Sequence, residues 1–358
     1  MGSVIFLNQK RKNEFLEPTI IKLSTMIIDF PHKQLSHCEN GTICNLLNFH
    51  GFQISEPLIF GIGSGLFYAY MPFIKNHGTP LTSYRILPGQ IYSNATKRLG
   101  IIMEKRTYKN KQNAMNELDA LLEKGQPVGL LTNLYYLPFF PKSYRFHYNA
   151  HNTIIHGKEG DTYLVSDPVL EHKTEIHYND LLKARFAEGI LSVKGDLYYP
   201  VSVPEISNIN GAIVKGIKST CNLMIKNPIP HHGITGIKML AKKLRKIATK
   251  GDPDLLKQYL GSIIRMQEEA GTGGAGFRYM YAAFLQEAGN KLNQDWLFEQ
   301  SSEMTKIGDR WRDFAIIAGR IIKGRNSESE NIDSIYDTLI EIANREKEVF
   351  KTLNKVRL

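Results

Sequence analysis

The sequence predicts an α+β protein in which residues 1–200 mix strands with helices and residues 201–358 are all helical. The chain has 358 residues, more than one core usually supports, so two domains are expected. Runs rich in β-branched and aromatic residues occur before position 200 and fade after it. Beyond YYPVSVPE, residues 198–205, apolar positions recur with helical spacing, which places the domain boundary near residue 200.

The first half contains two strand-like runs, an amphipathic helix and a hairpin. TIIKLSTMIIDF, residues 19–30, and PVGLLTNLYYL, residues 127–137, have the composition of strands. KQNAMNELDALLEKG, residues 111–125, has its apolar positions on one helical face and Gly125 as a stop. NTIIHGKEGDTYLVSDP, residues 152–168, predicts two strands around a polar turn.

The second half predicts helices separated by polar or glycine-containing loops. The polar stretch GRNSESENID, residues 324–333, is a predicted loop, and GTGGAGF, residues 271–277, is a predicted hinge, lid or simple connection between helices. The helical segments are PDLLKQYLGSIIRMQEEA, YMYAAFLQEAGNKLNQDWLFEQSSEM, RWRDFAIIAGRII and SIYDTLIEIANREKEVFKTLNKV.

Composition and net charge indicate the expected location of the protein and the kind of partner that it binds. The formal net charge of +10 favours an acidic partner. Three cysteines do not make a disulfide framework, so a reducing cytoplasm is the expected location. No apolar run approaches the roughly 20 residues that a membrane span needs, and no secretory signal is predicted. The few paired histidines do not predict a metal site.

The stretch LSHCENGTICNLL, residues 35–47, places a thiol where a helix is predicted to begin. Ser36 and Glu39 have the spacing of a capping box, which puts Cys38 in the first turn. Free backbone N–H groups there favour a thiolate and suit the oxyanion of a tetrahedral intermediate. The alternatives are that Cys38 is a buried structural thiol and that Glu39 only caps the helix; Cys44 is expected in the core.

A thiolate nucleophile needs a base and a group that orients the base. His151 opens the first strand of the predicted hairpin and Asp167 follows the second. Pairing the strands about the KEGD turn puts positions 151 and 167 opposite each other within one residue of register, where side chains are neighbours. The sequence therefore predicts a Cys38–His151–Asp167 centre.

These motifs resemble the papain-like, bacteriocin-leader-peptidase-like cysteine peptidase fold, and more closely the N-terminal domain of butirosin biosynthesis protein H. The second half resembles the helical domain that usually follows it. In the first half the resemblance lies in HCENGTICNLL, ISEPLIFGIGSGLFYAY, TNLYYLPF and HNTIIHGKEGDTYLVSDP, and in the second half in GTGGAGFRYMYAAFLQEAG and DRWRDFA.

The resemblance implies a cysteine-dependent N-acyltransferase in lipid or natural-product biosynthesis. Its acyl group would come from the phosphopantetheine thioester of an acyl carrier protein and pass to an amine or amino acid, with no cofactor of the enzyme's own. Cys38 would be the nucleophile, His151 the base and then the acid, and Asp167 the orienting carboxylate. Papain-like enzymes place an oxyanion-hole glutamine six residues before the cysteine; here that position is His32, and Gln34 lies four before it.

Two other functions remain open at the level of sequence. The same three residues suit a peptidase or thioesterase, and a degenerate domain would only bind a carrier protein. Expected substrate contacts are Glu39 and Ser64 in GIGSG, which is predicted as a helix-entry turn beside the active site. The aromatic residues Tyr135 and Tyr136 are also expected contacts that line an acyl tunnel; the alternative is ordinary packing in the core and at its rim.

A basic segment predicts where an acidic partner binds. Residues 206–251 contain nine Lys or Arg and no Asp or Glu, a pattern that also fits a merely solvated face. Carrier proteins are typically acidic, so docking is expected on one predicted helix, at Lys238, Lys242, Lys243, Arg245 and Lys246. No recognition motif favours nucleic acid. A homo-oligomer is compatible with the sequence.

Overall fold

The computed structural model describes residues 25–76, 78–189, 191–205, 208–269 and 272–358. Its strands are β1 (Thr25–Ile27), β2 (Leu66–Asn76), β3 (Thr79–Arg85), β4 (Ile102–Arg106), β5 (Val128–Thr132), β6 (His151–Glu159), β7 (Thr162–Ser166), β8 (Thr174–His177) and β9 (Leu197–Ser202). Its α-helices are α1 (Cys38–Phe49), α2 (Glu56–Ile62), α3 (Gln90–Leu99), α4 (Lys111–Glu123), α5 (Tyr178–Arg185), α6 (Ile209–Ile225), α7 (Gly233–Thr249), α8 (Pro253–Ile264), α9 (Arg278–Leu292), α10 (Trp296–Ile322) and α11 (Ile332–Leu353).

The described strands form one large antiparallel sheet and a separate hairpin. The seven-stranded sheet has the order β4-β9-β5-β6-β7-β8, with β1 pairing with β6. Strands β2 and β3 form a two-stranded hairpin, and Ala69 of β2 also makes an isolated bridge to His232. Helix α1 lies against β6, the strand that begins at His151, so the sheet brings the first half's two predicted catalytic segments together.

Two hydrophobic cores cover the sheet. One lies among α4, α5 and the sheet, and includes Met115, Leu118 and Tyr163, all fully buried. The other is continuous from α1, α2 and the hairpin into the helices of the second half. Because α2 packs on both α6 and α9, the second half is part of the same packed body as the first.

The local predictions for the first half are largely confirmed. Helix α4 spans most of residues 111–125, with Gly125 at φ +72° after its end. The predicted hairpin is β6 and β7. Only residues 128–132 of the run 127–137 are a strand, because the chain then turns into a short 3₁₀ helix. Of the run 19–30, residues 25–27 form β1 and residues 19–24 lie outside the described residues.

The second half is helical, as predicted, and residues 324–331 connect α10 to α11. The last strand of the sheet ends at Ser202 and α6 begins at Ile209. One hydrophobic core contains residues from both sides of position 200. The domain boundary near residue 200 stays a prediction. Within the part of the chain that is described, no helix is both long and apolar enough to cross a membrane.

Candidate active site

Cys38 is the first residue of α1, but the helix is capped differently from the prediction. The N-cap is His37, whose Nδ1 accepts a hydrogen bond from the Asn40 N–H at 3.4 Å. The backbone N–H groups of Ser36 and His37 instead donate to the carboxylate of Glu56, at 2.9 and 2.8 Å. The predicted Ser36–Glu39 capping box is therefore wrong, because a carboxylate from the next helix fixes this turn.

His151 and Asp167 meet directly, although not in the predicted register. Nε2 of His151 lies 2.6 Å from Oδ2 of Asp167, and both side chains are buried. The hairpin turns at residues 160–161, with Glu159 opposite Thr162, and this register alone would put position 167 across from 154. A bulge at His156 shifts the pairing by one residue, so the pairs Ile155–Val165 and Ile154–Ser166 put 167 across from 153 rather than 151. His151, two residues away on the same face of the strand, reaches Asp167 diagonally.

The surroundings favour a charged pair between Cys38 and His151. Burial acts to raise the pKa of the Cys38 thiol, but the charge and hydrogen bond of His151, together with the Asn152 backbone N–H and the charge of Arg85, lower it overall. Burial acts to lower the pKa of His151, but Asp167 and Cys38 raise it above its usual range. Because Asp167 occupies Nε2, the ring nitrogen left for the sulfur is Nδ1.

The other two thiols have the opposite environment. Cys44, expected in the core, is buried and donates to the Ile54 carbonyl at 3.0 Å. Burial raises the pKa of both Cys44 and Cys221 to about 12. Of the three cysteines, Cys38 alone has a lowered pKa, and it is 9% exposed.

The start of α1 offers backbone donors for an oxyanion. The N–H groups of Cys38 and Glu39 belong to the first turn of the helix, where no intrahelical acceptor exists. The two side chains upstream are engaged elsewhere. His32 contacts the Ser166 hydroxyl at 2.8 Å and the Leu170 carbonyl at 3.1 Å, and the exposed Gln34 donates to the Val169 carbonyl at 3.4 Å.

Glu39 has a structural environment that the sequence did not reveal. Its carboxylate is fully buried, accepts from Arg85 at 2.8 Å and accepts from the N–H groups of Ile91 and Tyr92 at 3.0 and 3.2 Å. It thus caps α3, whose own N-cap, Gly89, has no side chain for this purpose. The prediction that Glu39 contacts substrate is therefore wrong, since its acceptor sites are occupied and enclosed.

Arg85 was missed because nothing local in the sequence marks it. Its guanidinium also donates to the Tyr148 hydroxyl at 3.1 Å, and its charge acts on Cys38. The three residues Glu39, Arg85 and Tyr148 come from α1, β3 and the segment before β6. Only the tertiary fold brings them together.

The remaining predicted substrate contacts lie in different places. Ser64 is fully buried, donates to the Gly216 carbonyl at 3.1 Å and accepts from Arg98 at 2.6 Å, so it is not a pocket residue. GIGSG ends α2 rather than beginning a helix. Tyr135 stacks on His147 at 4.3 Å and, with Tyr136, borders an open surface cavity of about 500 Å³. A tunnel lined by these tyrosines stays a prediction.

The predicted docking residues all lie on α7, but they are not equally available. Arg245 is held by Asp333 at 2.6 Å and stacks over Tyr336 at 3.8 Å, and Lys238 donates to Asn344 at 2.8 Å. Lys243 lies 5.8 Å from the centre of the Tyr259 ring. Lys242 and Lys246 are exposed and one helical turn apart. Arg245 already pairs with Asp333, so the predicted docking contact depends mainly on Lys242 and Lys246.

Two family models match successive parts of the chain. Residues 37–168 match the family model for the N-terminal part of butirosin biosynthesis protein H, and residues 179–353 match the model for a domain of unknown function, DUF4872. No curated protein matches the chain. A solved structure described as a C39-like peptidase from Bacillus anthracis covers 51% of this chain and 100% of its own, at 16% identity and a TM-score of 0.36.

Within the described residues, no group of three or more His, Cys, Asp or Glu side chains is arranged to hold a metal ion. Cys38 begins α1, His151 begins β6 and Asp167 follows the end of β7, and all three residues lie within the first family match. The second match follows directly in the chain. Residues 37–168 thus belong to the family of the N-terminal domain of butirosin biosynthesis protein H, and residues 179–353 to a family of domains of unknown function, so the two families together account for most of the chain.

Proposed function

We propose that this protein is a cysteine-dependent N-acyltransferase that takes an acyl group from the phosphopantetheine thioester of an acyl carrier protein and passes it to an amine or amino acid. The observation that carries the proposal is the Cys38–His151 pair: a thiol of lowered pKa at a helix start, facing an imidazole that Asp167 holds at 2.6 Å. The family match to a biosynthesis protein supports acyl transfer over unrelated thiol chemistry.

The first step forms an acyl-cysteine. The Cys38 thiolate attacks the thioester carbonyl, and the free N–H groups at the start of α1 stabilise the negative oxygen. When the tetrahedral intermediate collapses, the bond to the carrier's sulfur breaks, and the imidazolium of His151 donates its proton to that leaving sulfur. Asp167 keeps the ring oriented and stabilises its positive charge.

The second step transfers the acyl group to nitrogen. The now neutral His151 accepts a proton as the acceptor amine attacks the acyl-cysteine, and Cys38 leaves as the thiolate. An amide forms and the ion pair is restored. The low exposure of Cys38 (9%) and burial of His151 favour an amine over water, because few water molecules reach the acyl-cysteine.

The basic face of α7 is the proposed contact for the carrier protein. With Arg245 neutralised by Asp333, the proposal rests on the exposed Lys242 and Lys246, with Lys238 and Lys243 beside them. Charge complementarity of this kind accelerates association and selects acidic partners. The carrier would bring its own phosphopantetheine arm, so the enzyme needs no cofactor in this mechanism.

Product analysis tests the proposal. Full-length protein is incubated with an acyl-carrier thioester, with and without an added amine, and followed by intact mass and chromatography. The expected result is an acyl adduct on the protein without amine, and an amide with it, both lost in Cys38→Ala. Free acid as the main product in the presence of amine would make the protein a thioesterase, and transfer that survives Cys38→Ala would remove the mechanism.

A further inference from the structure

A loop of the second half lies against the residue that precedes the nucleophile. The ring of Phe277, 1% exposed, meets the His37 ring edge-on with centroids 5.1 Å apart. The same ring stacks on Phe60 of α2 at 5.0 Å. His37 is the N-cap of α1 and is bonded directly to Cys38 in the chain. Phe277 therefore fixes the ring that caps the helix carrying the thiol.

Two more contacts connect the second half to this turn. The side-chain amide of the fully buried Asn40 donates to the sulfur of Met280 at 3.3 Å. A Cβ on Gly273 would lie 3.5 Å from the Cβ of Ser36, so the loop backbone passes close to that residue. Residues on both sides of Cys38 are thus in contact with the second half.

The loop adopts an unfavourable backbone to make these contacts. Ala275 and Phe277 have φ of +50° and +68°, in the left-handed region that side chains rarely adopt. Between them, a Cβ on Gly276 would lie 2.2 Å from the ring of Tyr84, so only glycine permits this approach. Unfavourable conformations persist where the surroundings fix them, and they cluster at functional sites.

We propose that the helical second half is a working part of the active site, in which Phe277, assisted by Met280, is a positioning residue that holds the His37 cap and so fixes the Cys38 sulfur. This inference rests on the proposed function only in taking Cys38 as the nucleophile. It assigns a role to the helical domain that follows the papain-like domain.

The chemistry of the cap explains why the aromatic neighbour matters. Nδ1 of His37 can accept from the Asn40 N–H only while that nitrogen carries no proton. Burial is the main cause that lowers the pKa of His37 well below its usual value, and the nearby charges of Arg85 and His151 lower it further. The Glu56 carboxylate lies close by, where it accepts a hydrogen bond from the backbone N–H of His37. Removing Phe277 admits water, so protonation at a higher pH would open the cap.

The test compares two buried phenylalanines in the full-length protein. For Phe277→Leu we expect two rates to fall about tenfold: Cys38 alkylation by iodoacetamide, and kcat with an acyl-carrier thioester. The reason is that a small displacement of a nucleophile lowers the reaction rate strongly. We also expect little change in KM and an added inflection in the acid limb of the alkylation profile. Phe350→Leu is the matched control, since Phe350 is fully buried in α11 and its ring neighbour is Tyr281.

The outcomes separate this inference from the proposed function. Wild-type rates and an unchanged pH profile in a folded Phe277→Leu protein would overturn the positioning role and leave acyl transfer standing. An unreactive wild-type Cys38 would instead remove the proposed function. If Phe277→Leu does not fold, Met280→Leu decides: a reduced alkylation rate supports the inference, and an unchanged rate overturns it.

Discussion

His151 donates from Nε2 to Oδ2 of Asp167 at 2.6 Å, while Oδ1 of the same carboxylate accepts from the Val169 N–H at 3.2 Å. The carboxylate is therefore fixed by the backbone just beyond β7 and in turn fixes the imidazole. Its negative charge is a main cause of the raised pKa of His151. The effect of the charge can be tested by replacing Asp167 with asparagine, which has nearly the same shape but no charge.

Asp167→Asn should narrow the pH range of activity. Loss of the negative charge lowers the pKa of His151, so the imidazolium disappears at lower pH and the basic limb of kcat/KM moves down. The acid limb should stay in place, because it reports the Cys38 thiol beside a still protonated His151, and Asp167 is not among the groups that set the pKa of Cys38. We expect kcat to fall about a hundredfold, within the range for impaired acid–base catalysis. A pH–rate profile measures all three effects.

Asp313→Asn is the control for this substitution. Asp313 pairs with Arg310 on the surface of α10, so its loss should leave the profile unchanged. A profile of Asp167→Asn that overlays the wild type would mean that the carboxylate does not act on His151.

Glu39→Gln should destabilise the protein. The substitution removes the buried partner of Arg85 and places an amide where a carboxylate accepted three hydrogen bonds. Breaking a buried ion pair costs about 3 kcal/mol or more, so urea unfolding should show a loss of that size. Because Arg85 acts on Cys38, the alkylation profile should also change.

The matched control is Glu104→Gln, which breaks a half-exposed ion pair with Arg106. Its expected cost is below about 1 kcal/mol. Equal losses in the two variants would show that the Glu39–Arg85 pair has no special structural role.

Charge reversal on α7 should weaken use of the carrier protein only. In the double variant Lys242→Glu and Lys246→Glu, we expect KM for an acyl-carrier thioester to rise about tenfold, with unchanged kinetics for a small acyl-pantetheine thioester. Raising the ionic strength should bring the wild type towards the variant, since salt screens exposed charges.

Lys109 and Lys111, at the start of α4, provide a control with the same change in net charge. Their reversal should not affect KM for the carrier thioester. If both double variants weaken carrier use equally, the effect comes from net charge, and α7 is not the docking face.

Where the fold depends on local pattern, the sequence predicted it. The apolar spacing of residues 111–125 predicts α4, and the alternation around the turn at residue 160 predicts the β6–β7 hairpin. The helix start at Cys38 was also predictable, because polar residues precede an apolar face there. These features depend on neighbours within a few residues.

The details that tune the site depend on distant parts of the chain. Glu56 accepts hydrogen bonds from the amides that a local cap would use. The hairpin pairs Glu159 with Thr162, so its register, even with the bulge at His156, puts residue 167 opposite 153 rather than 151. Glu39 meets Arg85 across 46 positions of sequence, and Phe277 meets His37 from the other half of the molecule. Such contacts leave no local pattern, so sequence reasoning did not find them.

The central claim is that Cys38 and His151 form one reactive pair, and the rate of Cys38 alkylation by iodoacetamide across pH tests it most directly. The account predicts that wild-type Cys38 reacts at neutral pH much faster than a free thiol and has an apparent pKa below the usual thiol value. In His151→Ala the apparent pKa of Cys38 should rise. A wild-type rate equal to that of a free thiol, unchanged in His151→Ala, would contradict it.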